Sequence, residues 1–259
     1  MTAPRILVFD SGLGGLTVFR EIAALRPDAS YIYAADDAYF PYGDLPEATV
    51  TDRVLSVMSD LIEEHTPDLV VIACNTASTI VLPELRARFS VPFVGTVPAI
   101  KPACALSQTR LVSVLGTEGT VTREYTQGLI RDFAQGCDVN LVGSTTLALI
   151  AEAALRREPV NEAAIAAEIA PCFVERDSRR TDVVVMACTH YPLIAEHLTR
   201  LAPWPVTWLD PSEAIARRVA DLLGPAAPDA PSGPRRLIFL SGVLPSSSLQ
   251  DALANYGLE

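Results

Sequence analysis

The chain has 259 residues, 49% hydrophobic and 20% charged, which is enough apolar material for two packed cores of ordinary domain size. With 31 acidic against 20 basic residues and a formal charge of −11, no basic stripe is available to hold a phosphate backbone, so nucleic acid is excluded as a primary partner. No apolar run approaches the roughly 20 residues of a membrane helix, and the amino terminus enters a strand pattern without the charged and apolar regions of a leader, so a cytoplasmic protein with no membrane association is expected.

In chain order, RILVFDSG (5–12) reads as a strand ending in a small polar turn. GLTVFREIAALRP (15–27) follows with helical spacing, and ASYIYAADD (29–37) is a second strand. FPYG (40–43) reads as a turn, and 49–65 carries Val54, Val57, Met58, Leu61 and Ile62 on one helical stripe. Further strands are expected at 68–75, 91–97, 110–117, 138–145 and 182–189, each a short, nearly continuous apolar run. Such runs suit parallel sheets covered on both faces. Segment 211–223 is a helix with Ser212 as the N-cap candidate. A proline-rich linker (224–234) then leads to a last strand, 235–242, which returns to an existing sheet.

Strand alternating with helix predicts an α/β fold. The pattern is also written twice. DLVVIACNTAS (68–78) and DVVVMACTHYP (182–192) match through an Asp, an apolar run, Ala and Cys, and RILVFDSGLGG (5–15) resembles RLVSVLGTEGT (110–120). Two pseudo-symmetric, doubly wound lobes follow, with TVPAIKPA (96–103) as the crossing. We expect residues 1–97 and 208–259 in the lobe of Cys74, residues 98–207 in the lobe of Cys188, and a cleft between them.

In open α/β sheets, ligands bind at the carboxyl ends of strands. Cys74 and Cys188 stand there, each before a turn rich in capping residues, with Pro192 near a first helical position. A helix N-terminus lowers a thiol pKa toward neutrality and seats an anion. Each copy is therefore expected to offer a reactive sulfur and a carboxylate seat. Cys104, Cys137 and Cys172 have no such setting and read as packing residues. The five cysteines contain no CxxC pair and read as free thiols, so no metal is expected. His190, two residues after Cys188, reads as a partner that holds or protonates the thiol. Glu152, in ALIAEAAL (148–155), reads locally as an exposed helix carboxylate. Asp10 and Ser11 end the first strand, in the zone of Cys74. DSGLGG (10–15) is neither GxGxxG nor a P-loop, so a nucleotide is not expected.

Taken together, FDSGLGGLTV (9–18), DDAYFPYG (36–43), ACNTAST (73–79), VGTVPAIKPA (94–103), GTEGTV (116–121), AEAAL (151–155) and CTHYP (188–192) resemble the cofactor-independent glutamate racemases of bacterial cell-wall synthesis. The resemblance runs from about residue 5 to about residue 223. One departure is Ala187, where the family usually has Gly. The resemblance implies an isomerase that interconverts L- and D-glutamate for peptidoglycan, without pyridoxal phosphate, and a homodimer. Cys74 would take the proton from D-glutamate and Cys188 from L-glutamate. Asp10 would assist Cys74, His190 and Glu152 would assist Cys188, and Asp36 would support the network. Asp10, Ser11, Pro41, Tyr42, Gly43, Asn75, Thr76, Thr117, Thr120, Thr189 and His190 would hold the substrate. Lys101, between prolines at the crossing, is the only lysine and has no Schiff-base setting. An aspartate racemase, a decarboxylase or isomerase of the wider superfamily, and a regulatory protein on this scaffold are the rival readings.

Overall fold

The computed structural model describes residues 3–226 and 233–258. The first lobe begins β1 (Arg5–Asp10), α1 (Leu16–Leu25), β2 (Ser30–Ala35), α2 (Glu47–His65), β3 (Leu69–Ile72), α3 (Asn75–Arg88) and β4 (Phe93–Gly95). The chain then crosses to α4 (Ile100–Leu106), β5 (Leu111–Thr117), α5 (Glu118–Val121), α6 (Glu124–Phe133), β6 (Asp138–Ser144), α7 (Leu147–Leu155) and α8 (Glu162–Ile169). A small ribbon, β7 (Glu175–Arg176) and β8 (Arg179–Arg180), precedes β9 (Val183–Ala187), α9 (Ala195–Leu201) and β10 (Thr207–Leu209). The chain returns through α10 (Ser212–Leu223), β11 (Arg235–Phe239) and α11 (Ser247–Ala254).

Two parallel sheets result, in the orders β11-β2-β1-β3-β4 and β10-β9-β5-β6. Read from its other edge, the second sheet is β6-β5-β9-β10, so β2, β1, β3 and β4 correspond to β6, β5, β9 and β10. The duplicated sequence is thus a duplicated position. Phe9 pairs with Ile72 two residues before Cys74, and Gly116 pairs with Ala187 one residue before Cys188.

Continuous apolar strands are explained by burial on both faces. Ile6 and Val8 of β1 pack with α1, α10 and α11, whereas Leu7 and Phe9 pack with α2 and α3. Val70 and Ile72 share the face of Cys74, and Val184 and Met186 share the face of Cys188. The strand pleat therefore aims each sulfur to one side of its sheet.

Three expectations change. β10 hydrogen-bonds β9 in the second sheet, so the lobe boundary at 207/208 falls inside a strand that belongs with the second lobe. α10 starts at Ser212 with Pro211 at its cap position, and the Asp210 carboxylate accepts from Ser212 N (2.9 Å) and Oγ (2.6 Å). Asp210 supplies the capping oxygen that had been assigned to Ser212. The ribbon β7–β8 was not anticipated. Of the linker 224–234, residues 227–232 lie outside the described residues.

Candidate active site

The carboxyl ends of the two sheets face one another, and Cys74 and Cys188 line one cavity between them. Ser11, Pro41, Tyr42, Gly43, Asn75, Thr76, Thr117, Thr189 and His190 complete the predicted part of its lining. The void is about 10 Å³, roughly the space in which the centre of one water can move. The lobes are closed on each other.

Cys74 is the N-cap of the 14-residue α3. Its sulfur accepts from Ala77 N (3.4 Å), and its thiol is aimed at Ser11 Oγ (3.6 Å). The expected drop in thiol pKa does not occur. Burial pushes Cys74 up to about 12, the charge of Asp10 adds to this, and the Ala77 N–H and Ser11 hydroxyl only partly offset it. Desolvation of the thiolate outweighs the helix end. The second copy departs from the first. After Cys188 comes a short 3₁₀ turn (Tyr191–Ile194) with Pro192 in its first turn, and α9 starts only at Ala195. Cys188 has no α-helix N-terminus directly beneath it, so the expected symmetry of the two turns does not hold.

Each sulfur has titratable groups in its surroundings. Asp10 is fully buried, but it lies behind the cavity rather than on its wall. Oδ1 accepts from Ser11 N (2.8 Å), and Oδ2 accepts from Gly15 N and, across the lobes, from Thr189 Oγ1 (3.1 Å). Burial raises its pKa by more than His190 and these donors lower it. On the other side, Cys188 Sγ lies 3.9 Å from His190 Nδ1, and His190 Nε2 lies 2.8 Å from Glu152 Oε2.

Glu152 is therefore not an exposed helix carboxylate. It is 4% exposed and accepts from Leu13 N (3.2 Å) and from Arg156 Nη2 (3.1 Å). Burial alone would raise its pKa, but the His190 bond and charge, the Leu13 N–H and Arg156 together hold it below the usual range. Burial alone would lower the pKa of His190, but its bonds and charges with Cys188 and Glu152 carry it well above the ordinary imidazole value. Gly14 N lies 3.1 Å from the same Nε2. The imidazolium thus donates Nε2–H to Glu152, whereas the ring without that proton accepts from Gly14.

Asp36 stands apart from both sulfurs' hydrogen bonds. It is fully buried and accepts from Tyr42 Oη (2.5 Å) and from Arg53 (2.6 and 2.9 Å). It anchors the wall of the cavity through Tyr42. Thr120 also lies off the lining but joins Thr76 and Thr117 in a triangle of hydroxyls, 3.0, 3.2 and 3.0 Å on its sides. Asn75 Oδ1 is buried without a hydrogen-bond partner among the described residues. Sequence reasoning missed Phe40, whose ring lies 4.9 Å from that of His190, and Ala148 of the lining. It also missed Arg53 and Arg156. Phe40 lay within a stretch already marked, and Ala148 and Arg156 flank Glu152 at helical spacing. Nothing in the sequence told Arg53 from other surface arginines.

The family model for Asp/Glu/Hydantoin racemase matches residues 16–219. The chain belongs to that family of racemases. Within it, the chain is similar to curated glutamate racemases. The glutamate racemase of Brucella anthropi is 57% identical over 225 residues, 86% of this chain and 81% of the relative. That of Brucella canis is 52% identical over 256 residues, 98% of this chain and 92% of the relative. The crystal structure of Escherichia coli glutamate racemase in complex with L-glutamate and the activator UDP-MurNAc-Ala superposes with a TM-score of 0.90 at 42% identity, covering 99% of this chain and 96% of that one.

Proposed function

We propose that the protein interconverts L- and D-glutamate by removing the Cα proton with one cysteine and returning a proton to the opposite face from the other, and so supplies D-glutamate for peptidoglycan. One observation carries the mechanism. Two thiols at equivalent strand ends of two equivalent sheets line the same cavity. A substrate held between them has its Cα flanked from both sides. Enantiomers are mirror images, so the reaction needs an acid/base group on each face.

Cys74 faces the proton of D-glutamate and Cys188 that of L-glutamate. With its pKa near 12, Cys74 is a thiol in the closed site and is ready to protonate the carbanion. To act as a base it first gives its proton to Asp10, whose own raised pKa suits it to receive one. Cys188 exchanges its proton with His190, which Glu152 holds in the imidazolium form. The Cα proton is only weakly acidic. The N–H groups at the start of α3 and the Thr76–Thr117–Thr120 hydroxyls stabilise the carboxylate charge that grows as it leaves. Asn75 Oδ1, a buried acceptor with no partner among the described residues, suits the ammonium. Ser11, Tyr42, Gly43, Thr189 and Pro41 shape the rest of the seat.

Cytoplasmic residence and a homodimer complete the reading, and sedimentation tests the latter. Function is tested by incubating the protein with each glutamate enantiomer, without added cofactor, and following ellipticity. Decay to zero from both sides supports the reading. Unchanged glutamate, with racemisation of aspartate instead, rejects the substrate.

A further inference from the structure

Among the described residues, the cavity wall contains no lysine or arginine, although glutamate brings two carboxylates. One arginine lies outside that wall but near it. Arg123 sits between α5 and α6, and its side chain is 12% exposed. Its Nη1 donates to Glu47 at the start of α2, 2.7 Å away on the other lobe. Its Nη2 lies 3.3 Å from where a Cβ on Gly119 would stand, and the Gly43 carbonyl lies 2.9 Å from that same point. Gly43 and Thr117 line the cavity, and a Cβ on Gly43 would stand 2.7 Å from Thr117 Cβ. The guanidinium is near enough to Cys74 for the thiolate charge to act on it.

The second observation is a missing bond. Arg123 Nε is buried and has no acceptor among the described residues. Buried polar groups are nearly always paired, and an orphan charged donor is costly to keep. A carboxylate arriving beside Thr117 and Gly43 would satisfy it with a charge-assisted bond. Glu47, holding Nη1, keeps the guanidinium aimed across the cleft.

We infer that Arg123 is a specificity residue, the cation that selects a substrate with a second, distal carboxylate. This rests on the glutamate reading above. Wild-type turnover of glutamate is therefore measured first, so that failure of the reading is seen before the inference is tested.

Competitive inhibition by glutarate, with two carboxylates, is compared with inhibition by butyrate, with one. R123M should raise the glutamate KM and the glutarate Ki at least about tenfold and leave the butyrate Ki within about twofold. R123K should recover part of the loss, because it restores charge but not the fork. E47Q should keep the preference for glutarate, because Arg123 remains. The inference is overturned if R123M weakens both inhibitors equally, if it weakens neither, or if E47Q loses the preference as fully as R123M. The last result would make the Glu47–Arg123 pair a clasp between lobes rather than a reader of the substrate.

Discussion

Replacing Glu152 by Gln keeps the shape of a buried side chain and removes its charge. The carboxylate serves His190 at 2.8 Å, Arg156 at 3.1 Å and Leu13 N at 3.2 Å. The amide keeps one acceptor and turns a donor toward His190 or Arg156. A hydrogen bond to a charged group contributes about 1.5–3 kcal/mol, so loss of the imidazolium's partner should lower kcat/KM roughly 10–100-fold. The two enantiomers have equal free energy, so kcat/KM must fall equally in both directions. Only its division between kcat and KM can differ.

The sign of the pH effect follows from the partners. Glu152 is one of the groups that raise the His190 pKa. Without its charge, His190 loses its proton at lower pH, and the alkaline limb of the activity profile moves down. In the wild type, the stability contributed by the pair disappears as pH falls through the lowered Glu152 pKa. It disappears again as pH rises through the raised His190 pKa. The assay is the initial rate from each enantiomer, followed by circular dichroism across pH, with urea unfolding as the stability control. An unchanged kcat/KM in a folded E152Q, or an unmoved alkaline limb, would refute the relay.

Cys74→Ala and Cys188→Ala should each lower racemisation by about 10²–10⁴-fold while near-native urea midpoints show that the lobes still fold; one variant with near wild-type turnover would remove that sulfur from the mechanism. With a pKa near 12, Cys74 should carry roughly a thousand times less thiolate at pH 8 than an ordinary cysteine, so mass-mapped iodoacetamide labelling should be correspondingly slow there. Rapid labelling would show that the closed site is not the prevailing form. Tyr42→Phe removes only a bond to Asp36 (2.5 Å), so it should cost about 1–2 kcal/mol of stability and change the glutamate KM by at most a few fold. A large rise in KM would place the hydroxyl on the substrate instead. A Cβ on Gly14 would stand 2.4 Å from His190 Nδ1 and 2.6 Å from the His190 backbone N, so Gly14→Ala should cost about 1–3 kcal/mol and most of the activity. An unaffected G14A would mean that the lobes work farther apart.

Much of the fold was legible because parallel strands must be apolar on both faces, and these sequences are. ILVFD-type and LVVI-type runs announced β1, β3, β5 and β9, and the repeat announced that they would be paired positions. β10 escaped because Thr207 and Asp210 break up its apolar residues, whereas β4, equally short, sits in the apolar run VPFVGTV (91–97). The repeat held a clue all the same, since β4 follows Pro92 and β10 follows Pro205 at matching places in their lobes. At the site, residues inside strand-end motifs were legible because the chemistry there is local. Glu152 was marked only by the family resemblance and read locally as exposed, because its partner lies 38 positions away on another element, and only folding brings the two together. The pKa of Cys74 was misread for a related reason. A helix N-terminus is visible in sequence, but the complete burial that outweighs it depends on closure of the opposite lobe.

The central claim is that two different groups serve the two faces of Cα. The most direct measurement runs the reaction from L-glutamate in D2O and reads deuterium at Cα separately in the residual substrate and in the product, at low conversion. Two bases predict that D-glutamate carries solvent deuterium from the first turnover while the remaining L-glutamate keeps its proton. Protium carried from L- into D-glutamate would mean that a single group works both faces, and would contradict the account.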